Sequence, residues 1–230
     1  MITAALDNSV HPSFALKRDN EVIIDQNHTS PQKRTDNIFA QWVQELLHAE
    51  GMSFQQVQHW LVGLGPGSFT GIRLAISLVK GICFQSHTTF QGIAGNAALA
   101  WSSFQDQGKK ENSTVAVVYD GRRNQAILTK YTYLQSGLQE PEAPYIVNCE
   151  DLPELARECR AVMTPHRQLA ERLPESIRPK LYVASPFKAR HLLDYYQCEP
   201  RQDFTFPPES ADPIYVRPPA FVKPFAWKET

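Results

Sequence analysis

Trp60-Leu61-Val62-Gly63-Leu64-Gly65-Pro66-Gly67-Ser68-Phe69-Thr70-Gly71-Ile72-Arg73 runs from an apolar strand through a glycine-rich elbow into an apolar helix. An elbow of this kind either holds an anion on free backbone amides or lets two elements pack closer than a side chain allows. The known phosphate loops do not fit. A Walker loop places Lys and then Ser or Thr directly after its last glycine, where Ile72 and Arg73 stand here. A dinucleotide fingerprint separates its second and third glycines by two residues, whereas Ser68, Phe69 and Thr70 intervene here. Pro66 removes a further amide. A looser nest of amides from Gly67 to Gly71 stays open, beside a close-packing reading in which Ser68 or Thr70 caps the helix.

The helix expected over 71–85 is apolar round most of its circumference, through Ile72, Leu74, Ala75, Ile76, Leu78, Val79, Ile82, Cys83 and Phe84. Arg73, Ser77 and Lys80 form one narrow polar stripe. A surface helix needs an apolar face of only about 100°. This one must be covered from two sides, by its own sheet and by either the preceding helix or a second protein chain.

Working outward, residues 2–6, 13–17 and 22–24 read as three short strands of a meander, separated by turn chemistry at Asn8, Ser9, Pro12 and Arg18-Asp19-Asn20. Thr35 or Asp36 can cap a helix that carries Ile38, Phe39, Trp42, Val43, Leu46 and Leu47 at helical spacing and ends at Gly51. The first hundred residues thus read β-β-β-α-β-α. The second half repeats the grammar. Strands are expected at 115–119, 125–133, 161–163 and 181–184, and helices near 151–159, 166–173 and 186–197. The expected division is an N-terminal lobe over 1–105, a C-terminal lobe over 114–199, and a proline-rich tail over 200–230 lying across the lobes.

Bulk properties narrow the function classes. With 230 residues and 42% hydrophobic content, the chain can bury a sizeable core. A formal net charge of -1 argues against a general polyanion binder. No run approaches a membrane span, and Asp7 comes too early for a signal peptide. Cys83, Cys149, Cys159 and Cys198 form no CxxC pair, so reduced thiols in a cytoplasmic protein are expected. No two of the seven histidines share metal-ligand spacing. Between Arg157 and Arg190, eight Lys/Arg stand against three acidic residues, a local balance of +5. Arg167 and Arg172 in that stretch are candidate contacts for nucleic-acid phosphate, against the alternative of a solvated face.

The stretch Gly65-Pro66-Gly67-Ser68-Phe69-Thr70-Gly71-Ile72-Arg73, followed by Lys80-Gly81, resembles the signature of the TsaB (YeaZ) proteins. Leu6-Asp7-Asn8-Ser9, Tyr119-Asp120-Gly121-Arg122-Arg123 and Pro213-Ile214-Tyr215-Val216-Arg217 resemble three further landmarks of that family. The resemblance implies an α/β protein of actin-like ATPase (ribonuclease H-like) fold, with two lobes of β-β-β-α-β-α type. It implies a non-catalytic scaffold subunit of the complex that forms threonylcarbamoyladenosine in tRNA. The implied partners are a catalytic TsaD-like threonylcarbamoyl transferase, a TsaE-like ATPase, tRNA through the complex, and a second copy when the chain is alone.

No cofactor is expected on this chain alone; ATP and a metal ion are expected in the partner subunits. The implied interface is Ile38, Trp42, Leu46, Ile72, Ile76, Val79 and Lys80. Glycines are scarce in the turns after the first strand of each lobe, so Asp7 and Asp120 are read as remnants of a degenerate nucleotide cleft. The alternative is a stand-alone ATP-dependent phosphotransferase or hydrolase in which these two carboxylates hold a hydrated Mg²⁺. The chain departs from the family in the His28–Asp36 segment, and in Leu74-Ala75-Ile76-Ser77 where the family usually has a glycine.

Overall fold

The computed structural model describes residues 1–28, 38–86, 88–139, 142–198 and 211–216, with the side chain of Cys198 excepted. The caps expected at Thr35 and Asp36, the departing segment from Thr29 onward, Arg217 and most of the tail lie outside the described residues.

The expected meander forms from β1 (Ile2–Asp7), β2 (Ser13–Arg18) and β3 (Glu21–Asn27). Helix α1 (Phe39–Ala49), strand β4 (His59–Gly63), helix α2 (Phe69–Ser86) and strand β5 (Thr89–Ile93) follow. The sheet order is β3-β2-β1-β4-β5, antiparallel across β1, β2 and β3 and parallel across β1, β4 and β5. Helix α3 (Gly95–Gln107) then leads to β6 (Thr114–Arg122), β7 (Gln125–Leu134), β8 (Gly137–Gln139) and β9 (Tyr145–Asn148). After these come α4 (Leu152–Leu155), β10 (Ala161–Thr164), α5 (Arg167–Arg172), β11 (Leu181–Val183) and α6 (Arg190–Cys198). The second sheet runs β11-β10-β6-β7-β8, with β9 pairing another stretch of β7. With β8 and β9 sharing the third place, the two sheets have one topology. This is the actin-like, ribonuclease H-like fold.

Alternation along the strands sorts the core into layers. Ala4, Leu6, Phe14, Leu16, Trp60 and Val62 face outward from the first sheet, onto Phe39, Val43 and Leu47 of α1 and Ile72, Ala75 and Val79 of α2. Ala5, Ala15 and Leu61 face inward and join α3, α6 and the second sheet in one central cluster. The outer face of the second sheet packs on Leu152, Leu169 and Ile177. Helix α3 follows the first sheet in sequence yet packs on β6, β7 and β10. Helix α6 follows the second sheet and packs on β1, β2 and β4.

Several boundaries differ from expectation. Strand β5 and helix α3 were not expected at all. Helix α2 begins two residues earlier, because Ser68 caps it: Gly71 N–H donates to Ser68 Oγ at 3.3 Å. The helix expected near 151–159 is the single turn α4, entered through a 3-10 turn at Cys149–Asp151. Cys83, Cys149 and Cys159 are buried and unpaired. Among the described residues no helix is long and apolar enough to cross a membrane.

Candidate functional site

The elbow between β4 and α2 is pressed against the turn after β1. A Cβ at Gly67 would lie 2.3 Å from the Ser9 carbonyl oxygen, and one at Gly71 would lie 2.0 Å from that of Asn8. Any side chain there would drive the two segments apart, so both positions require glycine. The Ser68 amide donates to the Ser9 carbonyl at 2.6 Å, and Gly65 accepts from the Gly95 amide at 2.8 Å. The Ser9 carbonyl takes the Ser68 amide of the nest left open between Gly67 and Gly71, and Ser68 Oγ takes the Gly71 amide, which favours the close-packing reading.

Asp7 ends β1 and is fully buried. Its Oδ1 accepts from the Ser9 amide at 2.9 Å and from Ser9 Oγ at 2.8 Å, while Oδ2 has no hydrogen-bond partner. Burial pushes its carboxyl up to about 6, against the two Ser9 hydrogen bonds that pull it down. Asp120 lies two residues before the end of the matching strand, β6, of the second lobe. Its Oδ1 accepts from the Arg122 amide at 2.9 Å and from Arg172 Nη2 at 3.0 Å. Burial raises its carboxyl, but these donors outweigh that and hold it below the ordinary range. Tyr119 stands edge-on to His166, ring centroids 5.4 Å apart, and burial lowers the affinity of His166 for a proton. Among the described residues no three of His, Cys, Asp and Glu come together as metal ligands.

The C-terminal landmark returns to the elbow. Ile214 N–H donates to the Leu64 carbonyl at 2.9 Å. Arg73 donates from Nε to Tyr215 Oη at 2.7 Å, and its guanidinium carbon stands 3.8 Å from the centre of the Phe69 ring. The Phe69 and Tyr215 rings are 5.0 Å apart. Two sequence signatures far apart in the chain therefore form one clasp. Beside it, an open groove of about 250 Å³ is lined by Arg73, Ser77 and Lys80 on one wall and by Asp212, Pro213 and Tyr215 on the other.

The residues expected at the interface lie on or beside α1 and α2. Ile38, Trp42 and Leu46 lie half-buried at successive turns. On α2 the expectation needs correction. Ile72, Ile76 and Val79 are 1%, 6% and 0% exposed and belong to the core of their own chain. At 100° per residue, Leu74, Leu78 and Gly81 share a ridge turned away from those three residues, with Leu74 and Leu78 still packed against the edge of the same core. Leu74 and Leu78 are half-buried and Gly81 is exposed. The polar stripe of Arg73, Ser77 and Lys80 continues into Phe84, which is 88% exposed. A Cβ at Gly81 would meet nothing within 4 Å. Among the described residues nothing requires glycine at that mid-helix position.

The family model for TsaD, tRNA N6-adenosine threonylcarbamoyltransferase, matches residues 28–193. The tRNA threonylcarbamoyladenosine biosynthesis protein TsaB of Escherichia coli (strain K12) is 27% identical over 140 residues, 58% of either chain. The protein of the same name from Bacillus subtilis (strain 168) is 27% identical over 146 residues, 63% of this chain and 60% of that one. A Pseudomonas aeruginosa crystal structure described by its similarity to peptidase YeaZ superposes with a TM-score of 0.73 at 25% identity, covering 94% of this chain and 99% of that one. The chain belongs to this family, in its TsaB/YeaZ branch. It spans about six tenths of the length of the two curated TsaB proteins it matches.

In this TsaB-family chain the basic stretch is largely neutralised by partners from elsewhere in the sequence. Arg172 pairs with Asp120, Lys188 with Asp25, Arg157 with Glu154 and Arg190 with Asp194. Arg160 donates to the Gln107 and Gly108 carbonyls, and Lys180 to those of Ala156, Arg157 and Cys159. Arg178 has only the exposed Glu175. Among the described residues, Arg167 alone of the eight makes no ion pair or side-chain hydrogen bond. The local balance of +5 therefore overstates the free positive charge. Sequence reasoning missed Leu78 as an outward residue; the helical angle between it and Val79 was the signal available.

Proposed function

We propose that this chain is a non-catalytic scaffold subunit in the formation of threonylcarbamoyladenosine in tRNA. It docks the outer ridge of α1 and α2 on a TsaD-like transferase and self-associates through the same ridge when that partner is missing. A TsaE-like ATPase joins the assembly, tRNA is reached through the complex in the cytoplasm, and ATP and the metal ion are held by the partner subunits. The observation that carries this reading is the elbow packed by the Asn8 and Ser9 carbonyls. With the Ser68 amide given to the Ser9 carbonyl and the Gly71 amide to Ser68 Oγ, a phosphate there would find fewer donors and a carbonyl oxygen facing it. The open notch at Gly81 supports the docking half. An exposed mid-helix glycine costs roughly 0.5–1 kcal/mol relative to alanine, and close approach of a neighbouring helix is the reason that remains.

Two measurements test the reading. Calorimetric titration of the lone chain with ATP and Mg²⁺ is expected to show no binding at micromolar concentrations. Tight binding with turnover would favour the stand-alone phosphotransferase or hydrolase and overturn the scaffold. Affinity capture with a TsaD-like subunit from the same cytosol is expected to retain the chain. Failure of that capture would reject the partner.

A further inference from the structure

A line of hydrogen bonds joins the end of β1 to the first turn of α2. Asp7 Oδ1 accepts from both the amide and the hydroxyl of Ser9. The Ser9 carbonyl accepts the Ser68 amide. The Ser68 carbonyl and hydroxyl then receive the amides of Ile72, at 2.9 Å, and Gly71. We infer that Asp7 is a positioning residue for α2. Through Ser9 it fixes where that helix starts, and so how the ridge of Leu74, Leu78 and Gly81 is presented. The consequence for docking rests on the function proposed above, while the relay itself is a property of the lone chain.

Three observations converge on this assignment. The carboxyl is sealed from solvent and cannot exchange its Ser9 bonds for water. Its unpartnered Oδ2 lies against Gly63, where a Cβ would be 1.9 Å away, so the strand beneath is shaped to the carboxyl group. At the far end of the relay, Gly67 and Gly71 allow the contact between the turn and the helix that the Ser9–Ser68 bond needs. Retaining an acidic residue in so dry a place calls for a reason beyond packing, and the two Ser9 donors supply one.

The relay has a protonation dependence. Among the described residues, Tyr119 of β6 is the titratable group that Asp7 acts on, its hydroxyl buried and its own proton held more tightly by burial and by Asp7. Among the described residues β2, β4, α2 and α6 bring no other charged group to bear on it. A carboxylate accepts from Ser9 more strongly than a protonated carboxyl does. The first turn of α2 is therefore held most firmly above about pH 6, where Asp7 is charged.

Amide hydrogen exchange on the full-length lone chain tests this. In Asp7→Ala, protection of Ser68, Gly71 and Ile72 is expected to fall about tenfold relative to Leu61 and Val62 of β4. Asp7→Asn, which keeps the acceptor, is expected to restore most of that protection. In the unaltered chain, protection of the three amides, corrected for intrinsic exchange, is expected to rise between pH 5 and pH 7 about an acid limb near the Asp7 value, and Asp7→Asn is expected to flatten that rise. Ser9→Ala, a milder change, keeps the test available if Asp7→Ala does not fold: it is expected to lower protection at the same amides by about threefold. Equal loss of protection in β4 and α2, or an unaltered pH response in Asp7→Asn, would overturn the assignment. Failure of capture by the transferase with an intact relay would instead reject the docking reading.

Discussion

Asp7 shows how much one buried carboxyl can carry. Its proton is bound more tightly in the folded chain, at about 6, than at the ordinary carboxyl value of 3.8. Between those values the native state holds more protons than the unfolded state, so stability falls as pH rises. The contribution is fully present below the ordinary value and is lost as pH climbs through about 6, a span of roughly 3 kcal/mol. Urea unfolding is expected to show this decline in the unaltered chain and a flatter profile in Asp7→Asn. Parallel profiles would mean that another group titrates. Global stability and protection at the start of α2 thus move in opposite directions with pH. The sequence marked Asp7 as a remnant of a nucleotide cleft or a holder of hydrated Mg²⁺, and nothing in a linear chain reveals that this carboxyl would be sealed from solvent with Ser9 donating twice to one of its oxygens.

At the scale of the element, α2 separates core from surface within single residues. Ile76→Asp would place a charge in the first lobe's core and is expected to unfold the chain. Leu78→Asp, two residues on at the half-buried edge of that core, is expected to cost less stability than Ile76→Asp while abolishing capture of the transferase and self-association, as read by light scattering. Gly81→Ala is expected to raise the stability of the lone chain by about 0.5–1 kcal/mol in thermal unfolding while weakening partner capture. Stabilisation with undiminished capture would remove the notch from the interface. The meander, the elbow and α2 were legible because turn residues, glycines and an apolar run each leave a local mark. Helix α3 was not: Ala97, Ala98, Leu99, Ala100, Trp101 and Phe104 are buried on every side, so no polar face sets up a helical period. Strand β5, with Thr89, Gln91 and Gly92, lacks the β-branched run by which a parallel strand is recognised.

For the whole molecule, the exchange of α3 and α6 between sheets makes the lobes interdependent. Leu192 of α6 is fully buried in the central cluster with residues of both sheets. Leu192→Ala is expected to cost about 2–5 kcal/mol and to lower the unfolding midpoints of both sheets together. Coincident urea transitions by tryptophan fluorescence and far-UV circular dichroism would establish this; two separated transitions would show lobes that unfold independently. The same scale explains the misread basic stretch. Asp25, Asp120 and Asp194 lie outside the counted window but sit beside its cations in space. The clasp of Phe69, Arg73 and Tyr215 was equally hidden, because two motifs recognised separately gave no sign that they touch.

That return of the chain's later residues to its first sheet bears on biosynthesis. Ala211 is buried among the residues of the first sheet's outer layer, and α6 covers that sheet's inner face. At about 5–20 residues per second, a ribosome that has released Trp60 needs on the order of ten seconds more to deliver Leu192. Throughout that interval the first four strands of the first sheet are translated but uncovered on one face, a natural substrate for a co-translational chaperone.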